Sequence, residues 1–256
     1  YSKIIPTMMR QITDRFAAEL YVDGNATGNS NRLHGLETFC GVGTCAAGDR
    51  IAQPSDTYAG RSTALAAEGG TWSALGTAPN STIATDWPDG QGDPEYDYTS
   101  PKLLNWSSTA WGTGATTFED NCERVLRQGV IWSTRTGGME GRPNMYLMAS
   151  ELFYGYVNHQ EAKQRIIIPH KEADDLGFPD VLNQEGVMLQ HDFDVPARTG
   201  YGINVNQMNL SSLDSMLFRS RGPEFDLKQL AYLYMVGFFG NSKFNPKFFI
   251  KTYNYA

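Results

Sequence analysis

The 256-residue chain carries 28 Asp+Glu against 21 Lys+Arg, a formal charge of −7 that argues against a general nucleic-acid binder. At 41% hydrophobic and 12% aromatic it has ample material for a packed core, which excludes a wholly disordered chain. Charged residues reach only 19%, so the polar surface rests on Asn, Thr, Ser and Gly, and the weak self-repulsion of such a surface suits packing against neighbours. A length near 250 residues is compatible with one large domain or two smaller ones. No apolar run is long enough for a transmembrane helix, and no charged-then-apolar signal peptide opens the chain. The first residue is Tyr1, as expected of a fragment or a processed product.

A helix is predicted over residues 3–21, where Ile5, Met8, Met9, Ile12, Phe16 and Leu20 recur at helical spacing. Its Met8, Ile12 and Phe16 face is expected to pack on a sheet of C-terminal strands. Asp23-Gly24-Asn25 supplies the stop, because Gly and Asn accept the left-handed conformation at a helix end. Residues 35–117 are the least regular. Within them, the stretch Gly76–Thr117 sets Asp86, Asp89, Asp93, Glu95 and Asp97 against the single base Lys102. Trp87, Tyr96, Tyr98, Trp106 and Trp111 are interleaved with these acids, so the stretch reads as a functional loop or an insertion packed on something.

Thr116 or Thr117 opens a second helix, with Glu119 and Asp120 in capping positions and Phe118, Cys122, Val125, Leu126 and Val130 forming its apolar face. It is expected to run to about Ser133, followed by a turn at Thr136-Gly137-Gly138. Residues 144–149 read as a buried strand, Glu151 to Gln160 as a third helix capped by Ser150, and Arg165 to Pro169 as a short strand. Strands are then predicted at 187–190, 201–205, 215–219, 228–239 and 243–253, the last two flanking a hairpin turn at Gly240-Asn241-Ser242. Helix and strand are segregated unevenly, with no repeating βαβ unit, which favours an α+β fold.

Chemistry-bearing motifs are sparse. His34, His159, His170 and His191 include no HExxH and no pair at i, i+4, so surface or interface roles are expected of them. Cys40 and Cys45, joined by Cys122 and a histidine, are the one set with metal-ligand character. No second close pair supports it, and buried or incidental thiols in a reducing cytoplasm are expected. Neither a G-x-S-x-G elbow nor a phosphate-binding loop occurs, and Gly41-Val42-Gly43 lacks the context of a dinucleotide fingerprint. Paired carboxylates among tryptophans, Asp86 to Asp97, are the best case for a sugar-hydrolysing cleft. They stand in turn sequence, however, at Pro88-Asp89-Gly90 and Gly92-Asp93-Pro94, where Asp serves local backbone hydrogen bonds. No catalytic, cofactor-binding or metal residue is therefore expected, and the chain reads as a non-enzyme.

The order of the segments carries more than any motif. Leu20-Tyr21-Val22-Asp23-Gly24 leads into Leu33-His34-Gly35-Leu36-Glu37. Tyr58-Ala59-Gly60-Arg61-Ser62-Thr63 and Gly69-Gly70-Thr71-Trp72-Ser73 follow. Next comes Gly141-Arg142-Pro143-Asn144-Met145-Tyr146-Leu147-Met148, then Glu185-Gly186-Val187 and Tyr201-Gly202-Ile203-Asn204-Val205-Asn206. The last pieces are Tyr234-Met235-Val236-Gly237-Phe238-Phe239-Gly240-Asn241 and Asn245-Pro246-Lys247. In this order, from about Arg15 to the end, the chain resembles the major capsid proteins of tailed bacteriophages, the family with the HK97-type shell fold.

The resemblance implies an α+β capsid subunit over 1–256. A spine helix and turn would occupy 1–34. A mostly axial-type subdomain would occupy 35–215, with a possible insertion at 76–117, and the C-terminal strands 216–256 would return to the peripheral region. The N-terminal arm and extended loop that the family carries before the spine helix are not visible in this chain. The implied function is self-assembly into hexamers and pentamers of an icosahedral shell enclosing double-stranded DNA without sequence-specific contact. Many copies of itself, with portal, scaffolding or cement proteins, are the implied partners. The implied setting is the virion, assembled in the host cytoplasm, with no membrane and no cofactor. An encapsulin-like compartment shell and a carbohydrate-active hydrolase using the 86–97 carboxylates are the alternatives. A basic end, with Arg219, Arg221, Lys228, Lys243, Lys247 and Lys251 against Glu224 and Asp226, could pair between copies with the acidic middle, and Asp86, Asp89, Asp93 and Asp97 are expected either away from the lumen or against basic residues of a neighbour.

Overall fold

The computed structural model describes residues 4–38, 40, 57–58, 61–62, 101–161, 182–215, 217–229, 231–245 and 248–254. Its α-helices are α1 (Ile4–Glu19), α2 (Phe118–Gly137) and α3 (Ser150–Glu161). All three were legible from periodicity. Thr117 caps α2: its hydroxyl accepts the Asp120 N–H, and the same hydroxyl bonds the Asp120 carboxylate. The helix ends where Gly138 adopts φ +62°, four residues beyond the predicted stop at Ser133.

The first strands, β1 (Thr57–Tyr58) and β2 (Arg61–Ser62), form a small separate ladder. The main sheet contains β3 (Lys102–Asn105), β4 (Met145–Met148), β5 (Leu182–Gln184), β6 (Val187–His191), β7 (Thr199–Ile203) and β12 (Ile250–Tyr253), in the order β3-β12-β7-β4-β6-β5. β3 runs parallel to β12 and β4 parallel to β6, and the other neighbours are antiparallel, so the sheet is mixed and the fold is α+β. β5 and β6 are joined by Glu185-Gly186, both at positive φ, the two-residue turn whose twist matches the flanking strands.

One face of the sheet is covered by α2. Cys122, Val125 and Leu126 of that helix are buried, and a Cβ on Gly129 would lie within 3.2 Å of Leu104, Tyr146 and Ile250 side-chain atoms. Side chains of the sheet thus reach the helix backbone at Gly129. Within the sheet, Tyr146 faces Gly202 across the β4–β7 ladder, and the phenol ring occupies the space a Cβ at Gly202 would need. The segment 20–40 covers the other face. Leu36 and Thr38 are fully buried there, and the Leu36 and Gly35 N–H groups donate to the carbonyls of Leu20 and Val22.

Three predicted features are corrected. Residues 101–111 are not an inserted loop: β3 is an edge strand of the main sheet, and Leu103, Leu104, Trp106 and Trp111 are core. Gly240-Asn241-Ser242 is not a turn but opens strand β11 (Gly240–Phe244), because a Cβ at Gly240 would collide with the Ser211 carbonyl at 2.1 Å. Glycine there serves close strand approach. The predicted strand 243–253 is divided between β11 and β12, and the strands after 216 fall in three different sheets. The predicted strand 165–169 lies outside the described residues.

The tight α2–sheet contact yields a test. Gly129→Val adds helix propensity but overpacks against Tyr146, Leu104 and Ile250. Urea denaturation is expected to show a loss of about 1–3 kcal/mol, where a surface Gly→Ala in a helix gains roughly 1 kcal/mol.

Candidate functional site

Two arrangements stand out, one inside the molecule and one on its surface. The inner one is a polar cluster on the sheet face that segment 20–40 covers. Lys251, on β12, the strand next to the β3 edge of the main sheet, has a side chain only 5% exposed. Its ammonium lies 2.7 and 2.8 Å from the two Glu37 carboxylate oxygens and donates to the Cys40 carbonyl at 3.3 Å. The Tyr201 hydroxyl donates to Glu37 as well. Beside them, the Tyr21 ring lies 5.7 Å from that of Tyr201, and its hydroxyl donates to Asp192 at 2.7 Å. Burial, with Glu37 next to it, pushes the Tyr201 hydroxyl pKa up, and burial with the Asp192 hydrogen bond does the same for Tyr21. Both remain neutral donors. The cluster is closed by its own partners, and what it can do is hold the segment around Glu37 against the sheet.

The surface arrangement is a long two-stranded ribbon. β8 (Met208–Ser212) pairs with β11, and β9 (Arg219–Asp226) pairs with β10 (Ala231–Gly237). The Leu213 N–H donates to the Phe239 carbonyl between them, which links the two ladders. An isolated two-stranded ribbon is marginal in water, and helix α1 supports this one at its base. The Phe16 ring meets Phe218 and Phe238 edge-on, with centroids 5.5 and 5.0 Å away. The expected packing of α1 on C-terminal strands is met at Phe16, with the ribbon as its partner. An apolar cleft of about 220 Å³, lined by Phe16, Leu20, Leu33, Met208, Leu210 and Phe244, lies between α1 and the β8–β11 pair. His34 is tied in by its backbone: its N–H donates to Asn241, and its carbonyl accepts from Ser242.

Farther out, no second layer over the ribbon is seen among the described residues. Register fixes its two faces. Phe225 stands opposite Tyr232, with ring centroids 5.1 Å apart. Gly222 and Pro223 together oppose Tyr234, a bulge that leaves Glu224 (opposite Leu233) and Arg221 (opposite Met235) on the same face. The Arg221–Glu224 ion pair at 2.9 Å agrees with that placement. Leu213, Leu227 and Met235 are 89%, 79% and 70% exposed.

The other sequence candidates do not converge. The His191 ring packs between Phe153 and Phe193, and His159 lies 3.7 Å from a Glu123 oxygen. Cys40 and Cys122 are buried, and the Cys122 thiol donates to the Glu119 carbonyl. Among the described residues no three His, Cys, Asp or Glu side chains are grouped to hold a metal, and no helix is long and apolar enough to cross a membrane. Cys45, His170 and the acids Asp86, Asp89, Asp93, Glu95 and Asp97 lie outside the described residues. Sequence reasoning missed the Glu37–Lys251 pair, whose partners are 214 positions apart with no motif to join them.

No family model matches the chain, and neither does any curated protein. Among solved structures it is similar to the holo-SrpI encapsulin complex of Synechococcus elongatus, with 14% identity over 52% of this chain and 49% of that one, and a TM-score of 0.39. It is also similar to a phage-related protein of Bordetella bronchiseptica, with 10% identity over 68% of this chain and 57% of that one, again with a TM-score of 0.39. The chain thus spans about half the length of these matched structures.

The inner cluster makes two measurable predictions. Lys251→Ala strands a largely buried carboxylate and is expected to cost about 3 kcal/mol, the low end for breaking a buried pair because Glu37 retains 24% exposure. The double variant Lys251→Met/Glu37→Leu is expected to recover most of that loss in the same chemical-denaturation assay. The second concerns alkaline pH. Burial raises the pKa of Tyr21, Tyr146, Tyr156 and Tyr201, so the folded state keeps protons that the unfolded chain releases. Their contribution is fully present below the unfolded value of about 10 and declines as pH rises through it. The urea midpoint is expected to hold steady to about pH 9 and to fall beyond about pH 10.

Proposed function

We propose that the chain is a structural subunit of a self-assembling protein shell, and that the shell is the icosahedral capsid of a tailed bacteriophage enclosing double-stranded DNA. The observation that carries the reading is the ribbon of residues 208–244, whose apolar side chains Leu213, Leu227 and Met235 are exposed, with no layer over them among the described residues. Exposed apolar surface of this kind marks a contact with another molecule. A low charge density, with 19% charged residues, suits a tile that meets neighbours on several sides. The ordered segments that resemble tailed-phage major capsid proteins supply the finer identity. On this reading the protein is not an enzyme, and its place is the virion, assembled in the host cytoplasm from hexamers and pentamers.

Electron microscopy of the purified protein tests the proposal. Regular hollow particles are the expected result, and nuclease-protected double-stranded DNA inside particles from the native source is expected for a capsid. Particles filled with a protein cargo would replace the viral reading with a compartment shell. Monodisperse monomers at every concentration, with hydrolysis of a polysaccharide, would overturn the shell and favour the 86–97 carboxylates as an active site.

A further inference from the structure

We infer that the outer hairpin β9–β10 is a self-complementary contact, in which the charged face of one copy stacks antiparallel on the same face of a second copy about a two-fold axis. The inference deepens the shell reading by naming one of its contacts. Register places Arg219 (opposite Gly237), Arg221 (opposite Met235), Glu224 (opposite Leu233) and Asp226 on one face of the ribbon. Read from base to tip, that face carries two cations and then two anions along β9, with Met235 and Leu233 on β10 beside the inner two, Arg221 and Glu224. The other face carries Phe225 and Tyr232 and, toward the base, Phe218 and Phe238 against Phe16 of α1.

A two-fold contact requires that residue i of one copy meet residue j of the other while j meets i. On a single ribbon face this demands opposite charges at the two ends and matching apolar groups in the middle. The order Arg, Arg, Glu, Asp around Leu233 and Met235 satisfies the condition. Head-to-head stacking would set Arg219 and Arg221 against the same arginines, so the charge order selects the antiparallel arrangement. The groups are available for exchange. The Arg221–Glu224 pair within one copy has side chains 76% and 61% exposed, and Arg219 reaches Asp214 only at 3.5 Å. The face is roughly 23 Å long at about 3.3 Å per residue and about 10 Å wide. About 230 Å² per copy would meet, well below the ~800 Å² per partner of a stable complex. Such a contact is weak alone and gains strength when many copies hold it together.

Covalent trapping reads it directly. Met235→Cys sits beside the proposed axis, so two copies bring the new thiols together, and a short bismaleimide is expected to give a dimer absent from the unaltered chain. In the same background, Arg219→Glu/Arg221→Glu makes the face wholly acidic, and Glu224→Arg/Asp226→Arg makes it wholly basic. Each alone is expected to lose dimer yield at least tenfold, an equimolar mixture to restore it, and the chain carrying all four changes to match the Met235→Cys parent. That last variant guards against loss by misfolding, since it holds every altered residue and must still dimerise. Absence of dimer in the parent, equal yields from all variants, or a mixture no better than its components would overturn the inference. Particles seen by microscopy without the hairpin crosslink leave the shell standing and remove this contact, whereas crosslinked dimers without particles do the reverse.

Discussion

The position of a buried charge governs how the parts of this molecule are joined. Lys251 stands on β12, flanked by β3 and β7, and its side chain is almost wholly out of water. An ammonium in that setting is tolerated only with a carboxylate against it. Glu37 supplies the carboxylate and brings with it the turn after α1, so the N-terminal segment is drawn across the open face of the sheet. Tyr21 and Tyr201 then stack beside the pair, with Asp192 and Glu37 accepting their hydroxyls. An apolar pair of similar volume would hold the same surfaces together at least as strongly. What the ion pair adds is register: of the two carboxylates in segment 20–40, Asp23 and Glu37, it is Glu37 that is held at Lys251.

That placement sets the direction of α1 and, through it, the support of the ribbon. Leu20 and Tyr21 tighten the end of the helix through N–H bonds to Ala17 and Ala18, and the chain turns back at Gly35 onto Val22. A side chain at Gly35 would meet the carbonyls of Leu20 and Val22 at 2.4 and 2.6 Å, so the return is possible only with glycine. With the C-terminal end of α1 held in this way, Phe16 falls between Phe218 and Phe238. Sheet, helix and ribbon base therefore form one connected series of contacts, and the outer hairpin is the part the series does not reach.

The legible and illegible features divide along the range of the interactions that decide them. Helical periodicity and the Thr117–Asp120 cap are local, and α1, α2 and α3 were read correctly from them. The strand Met145–Met148 was legible because its sequence is apolar throughout, with Tyr146 and Met148 buried and Met145 and Leu147 half-buried. Gly240-Asn241 was misread because glycine and asparagine favour turns, whereas here glycine is needed where two strand backbones meet. The real reversal lies between Asp226 and Ala231, where Leu227, Lys228 and Gln229 carry no turn signature. The acidic, irregular context of Lys102–Asn105 hides a strand, because its pairing partner Ile250–Tyr253 lies almost 150 residues away. The Glu37–Lys251 pair was invisible for the same reason.

Charge is scarce in this chain, and scarcity gives each exposed charge on the ribbon more influence over which surfaces meet. A heavily charged surface offers many partly satisfied alignments, and their free energies differ little once salt screens them over about 10 Å. A ribbon with two cations, two anions and an apolar centre on one face has few alignments in which no like charges oppose each other. The apolar groups favour contact of any kind, since hydrophobic attraction is not directional. Selection among contacts then falls to the charges, whose unfavourable pairings exclude the wrong registers. The division of labour on the ribbon follows from this. Phe225 and Tyr232 occupy one face, where area matters, and the Arg219-to-Asp226 sequence occupies the other, where orientation does.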